Sequence, residues 1–453
     1  MNSKTILKLS NPFFDILSIL LILYLVTLLS GCNNNAGGTN TTNTGNTSNI
    51  NKQTSNNLPQ KDIQKLADDF VTKYKSESGL SAISITAQCN GMNNNQPVTI
   101  FSGTFGHESQ YQRPIKNDDL WSIGSNSKAF TAIVLIKLAS NLQYKFSLDD
   151  HIQQWITKDK YPNLQNLLRY NPTVRQILNM TSGIADGNNR NSLLYWFNNP
   201  YTYKDPAFWI SFANPESNAQ PGTQWHYTDT NYQIADILVQ QVTGNSLMSE
   251  INQRIITPLG LKNTVYIFDK TTDLVSRDRL VHTYTQLGNH FYNRIVDVYD
   301  WSLSNNAGAG SILANTEDMN TFYRKLFTTN EILTPQEFKE MNTLMNIDTG
   351  KYVKSPSDSK SGMAYGLGIL EYNLNNVITS QGGSLAPYPN LQKNIANYND
   401  VYFYPGATTM LFDQIYNTKT NASLMVTYNS PSGPGELTLA LPILDYMDKV
   451  CHK

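Results

Sequence analysis

The chain has 453 residues, 34 basic and 35 acidic, for a net charge of −1. No basic block stands out, which argues against nucleic acid as a partner. Cys89 and Cys451 fit no zinc spacing and no Cys/His cluster is visible, so neither a metal nor an organic cofactor is implied.

Residues 1–31 read as a targeting segment. Lys4 and Lys8 give a positive start, residues 16–29 are almost wholly apolar, and Leu29-Ser30-Gly31-Cys32 follows. This order resembles the bacterial lipoprotein cleavage site, with Cys32 as the lipid-bearing first residue of the mature chain. The alternative is an uncleaved anchor, because residues 13–29 are just long enough to span a bilayer. Each buried lipid CH₂ contributes roughly 0.8 kcal/mol, so several acyl chains hold firmly. Asn33 in second place resembles lipoproteins sent to the outer membrane. The expected location is therefore the cell envelope. Residues 32–58 are Asn, Thr, Ser and Gly with almost nothing apolar, and read as a flexible tether.

From residue 59 the chain reads as one folded unit. Pro59 opens a helix with Ile63, Leu66, Phe70 and Tyr74 at helical spacing, and Gly79 ends it. Two strand-like runs follow, 82–89 and 98–105, around a turn-rich 90–96. Residues 129–139 form an apolar run that reads as a helix buried on most sides. Short helices dominate from about 150 to 305: 174–180, then 232–242 with Gly244 as its stop, then one capped by Ser246. Strands return at 311–314 and 365–370, with a helix at 317–327 between them. Residues 409–416 and 423–428 read as a hairpin, and 437–450 as a closing helix. Strands at both ends with helices between predict an α+β fold. One antiparallel sheet is built from residues 59–124 and 306–453, with a mainly helical part over 125–305.

Ser125 stands where the buried helix begins, and Lys128 lies one turn on, so both share a face. A serine becomes a nucleophile only when a base takes its proton. A lysine can be that base if burial or nearby positive charge lowers its pKa. The spacing alone means little, since Ser357-Asp358-Ser359-Lys360 repeats it in a polar loop with no apolar helix behind it.

Several stretches, in order, resemble the β-lactamase and penicillin-binding-protein superfamily of serine hydrolases, nearest to class C β-lactamases, D-Ala-D-Ala carboxypeptidases and related esterases. They are Ser122 to Ala132 around the Ser-x-x-Lys, Asn179-Met180-Thr181-Ser182-Gly183-Ile184, Pro221 to Tyr232 with its Tyr-x-Asn-like core, and Ala307-Gly308-Ala309-Gly310-Ser311-Ile312. The resemblance implies that Ser125 is the nucleophile of an acyl-enzyme. It makes Lys128 either the base or a fixed charge, and Tyr227 the relay of the proton to the leaving group. Asp229 stands where the family has Asn; an ionised Asp229 pairs with Lys128 and raises its pKa. The third motif, Lys-Thr-Gly or His-x-Gly in the family, aligns with Tyr404-Pro405-Gly406, where the cation is missing. The N–H of Ala407 would complete an oxyanion hole with that of Ser125. Gln381-Gly382-Gly383 is the alternative third motif. Residues 384–400, an insertion rich in Pro and Asn, read as a lid over the acyl site.

An aromatic third motif resembles some esterase members. The resemblance thus implies a D-Ala-D-Ala-carboxypeptidase- or β-lactamase-related hydrolase of small or peptidoglycan-derived acyl substrates. An esterase or amidase on an uncharged acyl substrate is the runner-up, and a non-catalytic envelope binding protein is the reading from another class. In such a fold the first strand and the closing helix are neighbours, which implies a Cys89–Cys451 disulfide; two free thiols are the alternative.

Overall fold

The structure is a computed structural model that describes residues 58–78, 80–267, 278–286, 295–380, 384–407, 410–430 and 437–451. The targeting segment, Cys32, the tether and Gln381-Gly382-Gly383 lie outside the described residues.

The framework is an eight-stranded antiparallel sheet. Helix α1 (Leu58–Ser78) leads into β1 (Ala82–Gln88) and β2 (Val98–Gly103). The other strands are β8 (Met345–Asn346), β9 (Met363–Tyr365), β10 (Leu370–Tyr372), β11 (Val401–Ala407), β12 (Leu411–Asn417) and β13 (Ala422–Tyr428). Their order is β2-β1-β13-β12-β11-β10-β9-β8, so the N-terminal hairpin pairs with the C-terminal one through β1 and β13. A smaller sheet joins β3 (Trp121–Ser122), β7 (Ile312–Ala314) and β4 (Thr264–Tyr266), and β5 (Tyr284–Gln286) pairs with β6 (Ile295–Asp297). The stretch 125–305 therefore holds short strands besides its helices.

Side-chain alternation divides the large sheet into two faces. Ile83, Ile85, Ile415, Leu424 and Val426 point to a back core shared with α1 and the closing helix α7 (Leu437–Cys451). Tyr402, Tyr404, Phe412, Tyr416 and Met425 point forward, to a core shared with α2 (Ser127–Ser140), α4 (Asp229–Thr243) and α5 (Thr316–Thr328). Polar residues on the forward face of β1 are satisfied there. Ser84 and Thr86 both meet the Thr316 hydroxyl at 2.8 Å. Helix α2 is buried almost throughout, because it runs through the middle of the forward core.

Two expectations need correction. The run 365–370 is not one strand but the turn between two short ones, β9 and β10. Gly366 and Gly368 make the bend between them. Gly368 has a φ of +75°, and a Cβ there would stand 2.7 Å from the Lys128 carbonyl oxygen. The turn is thereby seated on α2. The insertion 384–400 belongs to the back layer and forms no lid. Its short helix α6 (Pro389–Lys393) is capped by Asp445 of α7, which accepts the N–H groups of Asn390 and Leu391 at 2.8 and 2.9 Å. Tyr398 donates to Asp448 at 2.8 Å, and Leu391 is fully buried. Its apolar residues had a sheet face to cover, which sequence spacing does not reveal. The segment that flanks the cleft is 347–361. A Cβ on Gly350 would stand 2.6 Å from the Gln224 carbonyl carbon.

Cys89, at the end of β1, is bonded to Cys451 of α7, with Cα atoms 5.8 Å apart and 362 positions between them in sequence.

One buried group in the sheet works against stability. Glu371 on β10, opposite Tyr402, is 7% exposed, and its Oε2 makes no hydrogen bond. Burial, then the charge of Asp400, push its carboxyl from 4.5 up to about 7. The folded state thus binds the proton more tightly than the unfolded one, and stability falls as pH rises from 4.5 through about 7. Glu371→Gln is expected to stabilise the protein by ~2 kcal/mol at pH 8 and by little at pH 5, read from urea unfolding at both pH values. Equal effects at the two would refute this account.

Candidate active site

Three elements converge on Ser125. The first is the turn Gly124–Asn126 that leads into α2. Gly124 takes a φ of +51°, and Asn126 fastens the turn to the sheet. The Asn126 amide donates to the carbonyls of Tyr404 (3.3 Å) and Phe412 (3.1 Å) and accepts from the Tyr323 hydroxyl (2.7 Å). Asn126 is fully buried, so these bonds are needed to satisfy it. Sequence reading missed this residue; an Asn beside Ser125 carries no signal until its partners on two distant strands are known.

The second element is the segment before α4. Thr228 caps that helix by accepting the Thr230 N–H, at 3.2 Å. This sets Tyr227 on extended chain and Asp229 in the first turn, where the helix dipole favours its charge. The Asn179–Gly183 stretch, after α3 (Val174–Leu178), braces it. His226 N–H donates to Met180 O at 2.9 Å, and the Ser182 hydroxyl donates to Asn231 at 2.7 Å.

The third element is β11. β10 pairs only with its Val401 and Tyr402, whereas β12 pairs along it to Ala407. From Phe403 on, the other edge has no strand partner among the described residues. That edge packs against the Gly124–Asn126 turn, and Gly406 and Ala407 lie on it. An unpaired edge leaves backbone N–H groups for a ligand.

The chemical centre is compact. Lys128 Nζ donates to Ser125 Oγ at 3.0 Å, to Asp229 Oδ1 at 2.7 Å and to the carbonyl of Ala309 at 3.0 Å. The Tyr227 hydroxyl lies 2.6 Å from Ser125 Oγ. Ser125, Lys128, Tyr227 and Asp229 thus meet, although the last two lie about a hundred positions on in sequence. Burial by itself pulls the Lys128 ammonium down, but the charges of Asp229 and Tyr227 outweigh it and the net direction is up. Burial pushes the Tyr227 phenol up; Lys128 pulls it back without cancelling the rise. The resting site therefore holds an ammonium and a neutral phenol.

Tyr404 sits on the forward face but is 2% exposed, and its hydroxyl is 2.8 Å from that of Tyr365. It places no charge in the cleft. Tyr365 was not singled out in the sequence, since it is one of 26 tyrosines. The second Ser-x-x-Lys stays apart: the Ser357 hydroxyl accepts from the Asn373 side chain at 2.8 Å, and Lys360 is exposed. A Glu108–His282–Asp297 cluster has ligand atoms within 4.8 Å of one another. Its groups are already bonded, His282 to Asp297 at 2.6 Å and Glu108 to Tyr284 at 2.9 Å.

Residues 92–440 match the family model described as Beta-lactamase. The chain belongs to the β-lactamase family. Among curated proteins it is 25% identical over 173 residues to penicillin-binding protein 4* of Bacillus subtilis, covering 36% of this chain and 35% of that one. It is 26% identical over 151 residues to protein flp of Staphylococcus aureus, covering 32% and 28%. The chain thus spans about a third of the length of these curated relatives. Among solved structures, a D-stereospecific amidohydrolase from a Streptomyces species superposes with a TM-score of 0.61 at 20% identity, covering 83% of this chain and 96% of that one. D-amino acid amidase from Ochrobactrum anthropi gives 0.60 at 20%, covering 87% and 97%. A penicillin-binding-protein homologue from Pyrococcus abyssi gives 0.62 at 18%, covering 85% and 77%. These likenesses confirm the α+β fold, and the β-lactamase family places the chain among the serine hydrolases.

Proposed function

We propose that the protein is an acyl-serine hydrolase of amides or esters that lack a free terminal carboxylate. The observation that carries this is the Ser125 hydroxyl held at 3.0 Å from Lys128 and 2.6 Å from Tyr227. Asp229 keeps Lys128 charged, so Lys128 serves as fixed positive charge. Tyr227 first loses its phenol proton to solvent, and the phenolate then accepts the Ser125 proton along the same short contact. Ser125 Oγ then adds to the substrate carbonyl, and the N–H groups of Ser125 and Ala407 hold the oxyanion. Tyr227 passes its proton to the leaving amine or alcohol. Water attacks the acyl-serine by the reverse relay.

Tyr404 favours substrates without a carboxylate. A cation at the third motif would add roughly 1.5–3 kcal/mol of charge-assisted binding, and Tyr404 has none to offer. The amidohydrolase and amidase among the structural neighbours are in keeping with this choice. The charged start, apolar core and Leu29-Ser30-Gly31-Cys32 support attachment to a bacterial envelope through lipid on Cys32.

The test is hydrolysis of a short acyl ester and an amino-acid amide beside an acylated D-Ala-D-Ala peptide. The expected kcat/KM is at least about tenfold higher for the ester or amide, a gap of ~1.4 kcal/mol. A preference for the peptide would restore the carboxypeptidase reading.

A further inference from the structure

A second carboxylate stands behind the Lys128–Asp229 pair, and the mechanism above does not use it. Asp186 lies three residues past Gly183 and is only partly exposed. Its Oδ1 accepts the Asn188 N–H at 3.0 Å and the Thr230 hydroxyl at 3.3 Å. The Asn188 side chain reaches the other way, to Asp229 Oδ2 at 3.1 Å. One asparagine therefore straddles both carboxylates, while the remaining Asp229 oxygen meets Lys128. The loop is fixed. Gly187 N–H donates to the Thr230 hydroxyl at 2.6 Å, and a Cβ on Gly187 would stand 2.8 Å from the Trp209 carbonyl oxygen.

Two carboxylates thus face one ammonium. The charged groups that act on Asp186 are Asp229 and Lys128, with the Thr228 hydroxyl beside them. Tyr227 lies on the far side of Lys128, with the ammonium 4.8 Å from its ring centre.

We propose that Asp186 is a positioning residue for the Ser125 nucleophile: Asn188 holds its carboxyl beside Asp229, and the charge on Asp186 sets how tightly Lys128 and Tyr227 hold their own protons. This rests on the reading of Ser125 as the nucleophile. Burial, then the charge of Asp229, push Asp186 up to about 7, so its charge changes near neutrality. Below that pH the pair carries a single negative charge, which Lys128 balances. Above it the second negative charge favours ammonium at Lys128 and neutral phenol at Tyr227. A proton on Asp186 therefore eases formation of the reactive phenolate, and its loss restrains it.

The test is the rate of Ser125 labelling by a fluorophosphonate as a function of pH, for the wild type and Asp186→Asn. Asn keeps the acceptor for Asn188 and Thr230 but stays neutral. The rising limb of the variant, set by formation of the Tyr227 phenolate, is expected about one unit lower, with labelling several-fold faster at pH 8. A merely structural role would slow labelling equally at every pH. Superimposable profiles, or a limb moved upward, would overturn the proposal. Infrared titration supplies a readout independent of turnover. A carboxyl signal that changes near pH 7 is expected in the difference between wild type and Asp186→Asn, over that of Glu371, which both proteins keep; its absence from that difference also overturns the proposal. A wild type that takes no label at any pH would instead remove the nucleophile reading, and with it this role, leaving the infrared signal to report on the carboxylate pair alone.

Discussion

Ser125→Ala is expected to lower hydrolysis of an acyl ester by about 10⁴-fold or more, with stability changed by less than about 1 kcal/mol. The two magnitudes differ because the hydroxyl has two separate roles. For folding it is one acceptor of the Lys128 ammonium, which keeps Asp229 and the Ala309 carbonyl when the hydroxyl is gone. For the reaction it is the atom that forms the covalent bond, and neither Lys128 nor Tyr227 replaces it. Intact mass after exposure to a fluorophosphonate gives the matching result: one adduct on the wild type and none on the variant. Residual turnover within tenfold of wild type would sink the assignment. An unlabelled, inactive wild type would instead favour a binding protein built on a dismantled site.

Cys451→Ser is expected to cost about 4–5 kcal/mol, the largest stability effect foreseen in the molecule. The bond joins residues 362 positions apart, so it constrains almost the whole unfolded chain. It also ties β1, second from one edge of the sheet, to α7 on the back face. Cys451 is the better site to alter, because Cys89 is 1% exposed and its replacement adds a polar group to the core. Urea unfolding of the wild type, oxidised and reduced, beside Cys451→Ser reads the effect. The reduced wild type and the variant are expected to share a midpoint well below that of the oxidised protein. Coincidence of all three curves would show that the bond adds nothing.

The elements of the fold were legible where local pattern and tertiary environment agree. The strand-like runs 82–89, 409–416 and 423–428, and the largely apolar run after Lys128, describe a sheet and a helix buried on most sides; the structure has both. The run 365–370 failed because its glycines serve close approaches, Gly368 to α2 and Gly366 to the Met341 carbonyl, and a close approach leaves no mark in composition. The insertion 384–400 failed for a related reason. Its polar residues looked like a solvent-facing lid, yet Asn390 and Tyr398 donate to Asp445 and Asp448 of the closing helix, which stand some fifty positions later.

The sequence by itself determined the chemistry on offer. A serine and a lysine one helical turn apart, a tyrosine in a recognisable setting, an aspartate in place of asparagine and a tyrosine in place of a cation were all readable in order along the chain. Only the tertiary structure decided their charge. Whether Lys128 is a base or a fixed ammonium depends on distances of 2.7–3.0 Å to Asp229, Ser125 and Ala309. Asp186 enters only because Asn188 brings it beside Asp229. Proton affinity is set by burial and by charges within a few ångströms, and residues far apart in sequence supply both.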